Sequence, residues 1–289
     1  MEVGGLKLEV RIPTSASNLQ HLTSNMKIHF YKYQATGNDF VLIDNRSGQY
    51  SFSIEQIKKI CDRKFGIGAD GLMLIEKHPT LDFNLVYYNS DGSQSLCGNG
   101  SRAAMHFASF LGMVNGRAAF NAYDGRHEAE LLPTGIVRLK MNDTKEVFAV
   151  GNDLKINTGS PHLIRFVEKV NEYPVVEEGK RIRYSDPYNE KGINVNFVEL
   201  LSNNTIFVRT YERGVENETL SCGTGVTAAA LAASTKGYQS PVLIRTLGGE
   251  LSVEFKSGQS GLPSGQAGTF HDIFLVGPAK KVFEGDLEI

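Results

Sequence analysis

The first half of the chain consists of short runs in which hydrophobic and polar residues alternate. This alternation is typical of β-strands that bury one face. Glycine-containing turns such as Ala35-Thr36-Gly37-Asn38 separate the runs. We therefore predict strands at residues 27–33, 40–43, 72–75, 82–88, 118–122, 127–132 and 136–141.

Residues 53–63 follow a helical period instead. Ile54, Ile57 and Ile60 fall on one face, and Cys61 extends the same apolar stripe. Ser53 with a glutamine three residues later matches a capping box at the helix start. The pattern predicts a helix whose buried face includes Cys61, so this cysteine is interpreted as a core residue.

The second half of the chain is also rich in predicted strands. We predict extended segments at residues 147–157, 163–167, 192–200, 205–211, 242–247, 250–255, 271–276 and 281–289. Residues 170–183 carry too few apolar residues at helical spacing to predict a helix. Residues 257–268 are rich in Gly, Ser, Pro and Gln, which predicts a mobile surface loop.

Two segments of the chain place a cysteine directly in front of an alanine-rich helical pattern. The first contains Cys97 and continues as a predicted helix over residues 101–111. The second, 125 residues later, contains Cys222 and repeats two glycines, an Ala-Ala pair and a later Ala-Ser at the same spacing. The turn at 157–160 also resembles the turn at 35–38. These repeats predict a duplicated unit with two facing thiols.

Length and composition narrow the class of protein. The 289 residues favour two domains, and a 41% hydrophobic content is enough for real cores. A net charge of -2 gives no indication of a nucleic-acid partner, and the apolar runs are too short for a membrane span. Three cysteines fit a reducing compartment, so we expect a cytoplasmic protein. Residues 1–25 lack the apolar core of a secretory signal and are interpreted as an N-terminal extension, flexible or not native.

A helix N-terminus gives each thiol a distinctive environment. The first N–H groups of a helix have no intrahelical partner, so they attract a carboxylate and favour a thiolate. Such positions can lower a cysteine pKa from near 8.5 by about one to several units. On position alone, we expect lowered pKa values for Cys97 and Cys222.

Three chemistries are open to such a pair. The thiols could form a redox disulfide, although redox dithiols usually lie close in sequence. They could bind zinc, although neither has a second cysteine or a histidine at ligand spacing. They could also act as acid and base on opposite faces of one carbon. This last chemistry is that of a cofactor-independent racemase or epimerase, and it uses both thiols and both helix ends.

Proton removal from an α-carbon by a thiolate requires a dry site with preorganised donors. The donors must stabilise the negative charge that develops on the neighbouring carboxylate. A two-domain cleft that closes over its substrate would exclude water. The backbone N–H donors would come from Gly98, Asn99, Gly223 and Thr224.

The glycine-dense loop at residues 66–71 does not match a phosphate-binding motif. It lacks the Lys-Ser/Thr ending of a P-loop, and it precedes a strand rather than a helix. We expect this loop to approach the Cys97 loop closely instead.

The ordered motifs of the chain closely resemble those of the diaminopimelate epimerase family, from about Met26 to the C-terminus. The matching motifs are Gly37-Asn38-Asp39-Phe40, Gly66-Ile67-Gly68-Ala69-Asp70-Gly71, Asn89-Ser90-Asp91-Gly92-Ser93, Cys97-Gly98-Asn99-Gly100, Gly159-Ser160-Pro161-His162, Asn194-Val195-Asn196-Phe197, Glu212-Arg213-Gly214 and Cys222-Gly223-Thr224-Gly225.

The resemblance implies an α+β (α/β) fold of two structurally similar, pseudo-symmetric domains. Each would be a strand-rich, barrel-like sheet around a central helix, with the active site in the interdomain cleft. We predict that the N-terminal domain comprises 26–142 plus 277–289 and that the C-terminal domain comprises 143–276. The implied reaction interconverts LL- and meso-diaminopimelate without pyridoxal phosphate or metal, on the route to lysine and peptidoglycan.

The resemblance also implies roles for individual residues. Cys97 and Cys222 would be base and acid, exchanging roles with reaction direction, and His162 and Glu212 would be polar partners that tune the thiols. Asn38, Asn89, Asn194 and Arg213 resemble the groups that bind the distal amino-carboxylate end. A backbone cradle for the reacting carboxylate is implied at Gly98, Asn99, Gly223 and Thr224.

Three positions depart from the family pattern. Ser160, also a predicted substrate contact, stands where many relatives have asparagine, and Thr224 stands where some have serine. Gly71 stands where some have glutamine. Ser160 and Thr224 keep a hydrogen-bonding side chain but Gly71 does not, so the departures affect small contacts rather than the reaction.

Other interpretations of these motifs are open. Proline racemase, aconitate-type isomerases and phenazine-biosynthesis-like isomerases share the arrangement of two central helices, and proline racemase also uses two cysteines. Asn38, Asn194 and Arg213 argue against proline racemase, because they indicate a second polar end to be bound. A binding protein with two inert half-sites is a different class, in which reactive thiols would be a liability. The expected partners are diaminopimelate and, in a homodimer, a second copy; the sequence itself does not determine the oligomeric state.

Overall fold

The structure, a computed structural model, describes residues 26–144, 147–258, 266–267 and 269–289 of the 289-residue chain. The predicted extension at 1–25 and most of the predicted loop at 257–268 lie outside the described residues. Within these described ranges, no helix is long and apolar enough to cross a membrane.

The described residues form one hydrogen-bonded sheet of 18 strands and four α-helices. The strands are β1 (Lys27–Ala35), β2 (Asn38–Asp44), β3 (Gly71–Glu76), β4 (Phe83–Asn89), β5 (Arg117–Ala122), β6 (Gly125–Leu131), β7 (Ile136–Lys140), β8 (Val147–Val150), β9 (Asp153–Asn157), β10 (Pro161–Phe166), β11 (Asn194–Leu200), β12 (Thr205–Glu212), β13 (Asn217–Thr219), β14 (Val242–Thr246), β15 (Gly249–Ser257), β16 (Gln266–Ala267), β17 (Phe270–Pro278) and β18 (Lys280–Glu288). The helices are α1 (Ile54–Cys61), α2 (Gly98–Phe110), α3 (Val175–Arg183) and α4 (Gly223–Ser234), with a 3-10 turn at Val170–Glu172.

Strand directions reveal two copies of one folding unit. From β1 to β6, neighbouring strands pair antiparallel, parallel, antiparallel, parallel and antiparallel. The series β9, β10, β11, β12, β14 and β15 repeats this order of directions. Helices α1 and α3 connect the second strand of each unit to the third, and α2 and α4 connect the fourth to the fifth. The predicted duplication is therefore present in the fold.

Strand β17 joins the two units, because it pairs with β15 on one side and with β7 on the other. After β17 the chain returns to the first unit, where β18 pairs with β1 along nearly its whole length. Since the sheet is continuous across this junction, the predicted domain limits at 142 and 277 stay a prediction.

Each unit wraps its strands around one central helix. Helix α2 packs against β1, β2, β6 and β7, and α4 packs against β9, β10, β11 and β12. Almost every residue of both helices is buried, including Ala103, Ala104 and Ala108 in α2 and the run 228–233 in α4. Small side chains allow strands to approach a buried helix from all sides. This arrangement confirms the predicted fold of two similar strand-rich units around central helices.

Helix α1 forms as its sequence predicts. Ser53 accepts a hydrogen bond from the backbone N–H of Gln56, and the Gln56 side chain accepts one from the backbone N–H of Ser53. Cys61 is 4% exposed, and burial raises the pKa of its thiol to about 12. Its predicted role as a core residue is confirmed.

The prediction of no helix within 170–183 is wrong, because α3 spans most of that segment. Val175, Gly179 and Ile182 form its buried face. A Cβ at Gly179 would lie 2.3 Å from the Tyr211 Cβ, so glycine permits this close packing against β12. Tertiary packing thus overrides a weak local pattern.

Three further features differ from prediction. Helix α2 begins at Gly98, three residues earlier than predicted, because Cys97 itself is the N-cap. The segment 147–157 is a hairpin of β8 and β9 rather than one extended run. The short strand β13 was not predicted.

Candidate active site

Cys97 is the N-cap residue of α2, at the point where β4 and its loop deliver the chain to the helix. The Gly100 backbone N–H donates to Cys97 Sγ over 3.3 Å. The thiol in turn donates to Asn38 Oδ1, at 3.5 Å. A Cβ at Gly100 would lie 2.3 Å from Met73 Cε, so glycine lets the helix start this close to β3.

Cys222 holds the equivalent N-cap position of α4, but its surroundings differ. Its side chain accepts no capping hydrogen bond, and the residue is 7% exposed, whereas Cys97 is partly exposed. Its Sγ lies 3.6 Å from Thr224 Oγ1. A Cβ at Gly225 would lie 2.4 Å from Asn196 Oδ1, so the second glycine of the motif is needed here as well.

The pKa values of both thiols are raised, whereas helix position alone predicts lowered values. Burial raises the pKa of Cys97 to about 11, although the N–H groups of Gly100 and Asn99 act in the opposite direction. Burial raises the pKa of Cys222 still further, and the Glu212 carboxylate adds to the effect. The cost of removing a thiolate from water outweighs the helix ends. At neutral pH the ligand-free protein therefore holds two thiols.

The N-termini of α2 and α4 meet directly. A Cβ at Gly98 would lie 3.7 Å from the Gly223 Cα, and one at Gly223 would lie 3.4 Å from the Asn99 backbone nitrogen. The Asn99 side chain donates to the Ser221 carbonyl across the junction, at 2.9 Å. The four predicted cradle residues thus lie together where the two helix ends meet.

His162 lies on β10, is fully buried and is held by a neighbouring amide. Asn196 Nδ2 donates to His162 Nδ1 over 3.0 Å and to the Leu163 carbonyl over 3.3 Å. The Asn196 Oδ1 accepts from the Thr210 hydroxyl at 2.9 Å, which fixes the amide orientation. His162 Nδ1 is therefore an acceptor, and the ring proton belongs on Nε2.

The His162 ring links to Cys222 through Thr224. Burial lowers the pKa of His162 to about 3, with the Arg213 charge adding to the effect, so the ring is neutral. Its Nε2 lies 2.9 Å from Thr224 Oγ1 and donates to that oxygen. The Thr224 hydroxyl proton is then directed to the Cys222 sulfur.

Glu212 ends β12 beside the same thiol. Burial raises the pKa of Glu212, while hydrogen bonds from Thr219 and Cys222 act against this rise. The Thr219 hydroxyl donates to Glu212 Oε2 over 2.8 Å. The Glu212 carboxyl group thus lies within hydrogen-bond reach of the Cys222 thiol.

A second polar group forms around Arg213. The Asn194 side chain accepts from the Arg213 backbone N–H at 2.9 Å and donates to Ser160 Oγ at 2.9 Å. The Arg213 guanidinium contacts the same Ser160 oxygen at 3.3 Å. Two predicted distal-end residues, Asn194 and Arg213, therefore lie together with Ser160, a further predicted substrate contact. Asn89 lies apart from them, where its side chain donates to Ser93 Oγ and Ser95 Oγ.

An open cleft of about 760 Å³ runs between these groups. Among the predicted site residues, its walls include Asn38, Asn89, Cys97, Glu212 and Arg213. Cys222 lies behind this lining, next to Glu212. The other predicted site residues that are not part of the lining are Gly98, Asn99, Ser160, His162, Asn194, Gly223 and Thr224.

Sequence reasoning missed several residues of the site. Asp70, Arg63, Tyr87 and Ser221 also line the cleft. The sequence contained an indication for Asp70, because this residue lies in the glycine-dense loop expected to approach Cys97. It contained no indication for Arg63, which resembles an ordinary charged residue at the end of a helix. Within the described residues, no group of three or more His, Cys, Asp or Glu side chains could hold a metal ion.

The fold places the chain in a structural class that includes phenazine-biosynthesis proteins and amino-acid epimerases. A Bacillus anthracis phenazine biosynthesis protein of the PhzF family superimposes with a TM-score of 0.69 at 13% identity, covering 91% of this chain and 100% of that one. A hydroxyproline epimerase from Agrobacterium vitis gives 0.62 at 14% identity, covering 91% and 93%. Identities this low establish the fold alone.

Sequence comparison identifies the particular family. The family model described as diaminopimelate epimerase matches residues 30–146 and 154–267. The diaminopimelate epimerase of Flavobacterium psychrophilum is 46% identical, covering 88% of this chain and 98% of that protein. The one from Chlorobaculum tepidum is 39% identical with the same coverage. The chain belongs to the diaminopimelate epimerase family, as its motifs predicted.

Proposed function

We propose that this protein is an isomerase that interconverts LL- and meso-diaminopimelate by two-base proton transfer between Cys97 and Cys222. The observation that carries the proposal is the meeting of two equivalent helix N-termini, each with a thiol as its N-cap. Family membership supports the substrate. The two-thiol mechanism rests on the geometry.

The reaction needs one thiolate and one thiol at the α-carbon. The thiolate takes the α-proton, and the electrons of the broken C–H bond delocalise into the substrate carboxylate. The other thiol gives its proton to the opposite face of the carbon, which inverts the centre. The two cysteines end with exchanged protonation states, so the reverse reaction uses the same groups in opposite roles.

The helix ends stabilise the charge that develops on the carboxylate. Gly98 and Asn99 begin α2, and Gly223 and Thr224 begin α4, so their N–H groups have no intrahelical partner and are available at the point where the two helices meet. Dipoles fixed in a dry site need no reorganisation during the reaction, which lets a weak base such as a thiolate act on a weakly acidic carbon.

Both thiols are protonated in the ligand-free protein, so one of them must lose a proton before turnover. We assign this step at Cys222 to Glu212, which accepts a hydrogen bond from that thiol. His162 is neutral and acts through Thr224, whose hydroxyl proton stabilises a Cys222 thiolate once it forms.

The distal amino-carboxylate is assigned to Arg213, Asn194 and Ser160, together with Asn38 and Asn89, which line the same cleft as Arg213. Arg213 supplies a planar pair of donors for a carboxylate. Ser160 offers a shorter contact than the asparagine of many relatives, yet it already engages both Asn194 and Arg213. A cytoplasmic location, where thiols stay reduced, is part of this proposal, and a homodimer remains a prediction.

The test is α-proton exchange by purified, reduced protein in deuterated water. LL-diaminopimelate should exchange and epimerise, and proline, which lacks a distal amino-carboxylate, should not. Exchange of proline at a comparable rate would favour a racemase of another substrate class. Absence of exchange with LL-diaminopimelate would overturn the proposal.

A further inference from the structure

A continuous hydrogen-bonded chain connects Cys97 to a cluster of charged residues at the wall of the cleft. Cys97 Sγ donates to Asn38 Oδ1, and Asn38 Nδ2 donates to Asp70 Oδ2 at 2.5 Å. Arg63 Nη2 binds the other Asp70 oxygen at 2.7 Å. Asp70 belongs to the glycine-dense loop 66–71, and the mechanism above does not use it.

The chemistry of the side chains gives this chain a direction. An ionised carboxylate only accepts hydrogen bonds, so Asp70 must face the NH₂ end of the Asn38 amide. The carbonyl end must then face the Cys97 sulfur. The Asn99 side-chain NH₂, 3.4 Å from Asn38 Oδ1, supports the same orientation. An amide turned this way accepts the proton of a thiol but cannot donate to a thiolate.

Asp70 is itself held rigidly. Its backbone N–H donates to the Asp39 carbonyl at 2.9 Å, and its own carbonyl accepts from the Ser90 N–H at 3.0 Å. The Arg63 guanidinium clamps the Asp39 carboxylate with two further bonds, at 2.7 and 3.0 Å. A buried lysine, Lys32, contacts Asp39 at 2.6 Å from the other side. The Asp70 carboxylate is thus held within a cluster that also contains the Asp39 carboxylate and the two cations, Arg63 and Lys32.

We infer that Asp70 is a positioning residue that orients the Asn38 amide so that its carbonyl accepts the Cys97 proton and keeps Cys97 in the thiol form. The counterpart cysteine has no such amide among the described contacts of its sulfur. Cys222 instead has the Thr224 hydroxyl, which can donate to the sulfur, and Glu212, which can accept the thiol proton. Asp70 would therefore help to set how readily Cys97 gives up its proton, independently of Cys222.

The consequence of this inference for catalysis rests on the proposed function, but the test of the inference does not. Alkylation of a thiol by iodoacetamide depends on the thiolate fraction and needs no turnover. The rate at each cysteine can be followed separately by mass spectrometry of its peptide. A failure here would leave proton exchange intact, so the two proposals fail independently.

The key variant is Asp70→Asn, which keeps the size of the side chain and removes the obligatory acceptor. The Asn38 amide is then free to turn and donate to the Cys97 sulfur. We expect the alkylation rate of Cys97 below its pKa to rise about tenfold, equivalent to about one pKa unit, with Cys222 unchanged. An unchanged Cys97 rate, or an equal change at both cysteines, would overturn the inference.

A double-variant cycle separates orientation from simple loss of charge. In an Asn38→Leu background there is no amide to turn, so adding Asp70→Asn should leave the Cys97 rate unaltered. If Asp70 acted only through its charge, the effect would persist in that background and the inference would be wrong. The other charged or titratable groups near Asp70 or Cys97 are Asp39, Cys61, Arg63, Tyr87, Arg102 and Glu212, and all are retained throughout the cycle.

Two further variants test whether the change at Cys97 is specific or reflects a general disturbance of the structure. Arg63→Gln loosens Asp70 from the mostly exposed side of the cluster and should raise the Cys97 rate in the same direction by a smaller factor. Asp153→Asn is the matched control, because Asp153 is also bound by an arginine, through two Arg165 nitrogens, but lies on β9, outside the proposed site. It should leave Cys97 unchanged. A Cys97 response to Asp153→Asn as large as that to Asp70→Asn would mark a general structural effect and contradict the inference.

Discussion

The two cysteine half-sites share a scaffold but differ in almost every side-chain contact. Each thiol is the N-cap of a central helix in the same topological position of a duplicated unit. Cys97 borders the open cleft and contacts a backbone N–H and an amide carbonyl. Cys222 is buried and contacts a hydroxyl and a carboxylate, with a neutral histidine behind them.

This difference shows which parts of the site duplication can supply. The strand order, the helix position and the paired glycines recur in both units, and they determine where each thiol lies. Gly100 and Thr224 lie on the thiols' own helices, but the remaining partners come from strands β2 and β12, where the two half-sites differ. A symmetric scaffold thereby holds two thiols of unequal acidity, which suits a reaction that needs one acid and one base at a time.

Removal of either thiol should have the largest effect. Cys97→Ala and Cys222→Ala should each lower epimerisation on the order of 10³-fold or more. The one thiol that remains cannot both remove the α-proton and deliver a proton to the opposite face of the carbon. The matched control is Cys61→Ala, which removes the core cysteine and should retain turnover. Steady-state rates from LL- and meso-diaminopimelate provide the measurement, and near-normal turnover in either active-site variant would mean that the two-base assignment is wrong.

The scaffold and both thiols could be predicted because they depend on local signals. Alternating strands, a capping box and a cysteine-glycine motif repeated in register are all visible along the chain. The contacts that separate the half-sites could not be derived in this way. Asn196 meets His162 only because β10 and β11 pair in parallel register, and Arg63 meets Asp70 only because the loop after α1 folds back. Helix α3 was missed for the same reason, since its glycine is explained only by packing against Tyr211.

The distal-end residues offer the next largest effect, and they come mainly from the second unit. Arg213→Met should lower kcat/KM for diaminopimelate about 100-fold, because a charge-assisted contact to the distal carboxylate is lost. Alkylation of the ligand-free thiols should change little. Arg181→Met removes an exposed arginine that pairs with Glu178 and serves as the control. Equal loss in both variants would argue against a role for Arg213 in binding.

The series of contacts that runs from Asn196 through His162 and Thr224 to Cys222, here called the relay, should contribute less to turnover. Asn196→Leu removes the donor that fixes the His162 tautomer, so the Thr224 hydroxyl is no longer directed to the sulfur. We expect kcat to fall about tenfold with little change in KM. Asn121→Leu, which removes a strand amide of the first unit that donates to Asn84, should have no such effect. A change confined to KM would show that the relay acts on binding instead.

The smallest effect is a difference in titration between the two thiols of the unliganded enzyme. The pKa of Cys97 is raised to about 11 and that of Cys222 is raised further, so both react slowly with iodoacetamide near neutral pH. As pH rises, alkylation should increase first at Cys97 and later at Cys222. Peptide mass spectrometry over a pH series checks this order, and earlier labelling of Cys222 would contradict the comparison.

The most direct measurement of the central claim is the early partition of deuterium between product and substrate. LL-diaminopimelate is incubated with the reduced protein in deuterated water, and both isomers are analysed at low conversion. Two bases on opposite faces predict one deuteron at the inverted centre of the meso product, while the remaining LL substrate keeps its protium. Deuterium that enters the LL substrate as fast as the meso product forms would indicate a single base and contradict the account.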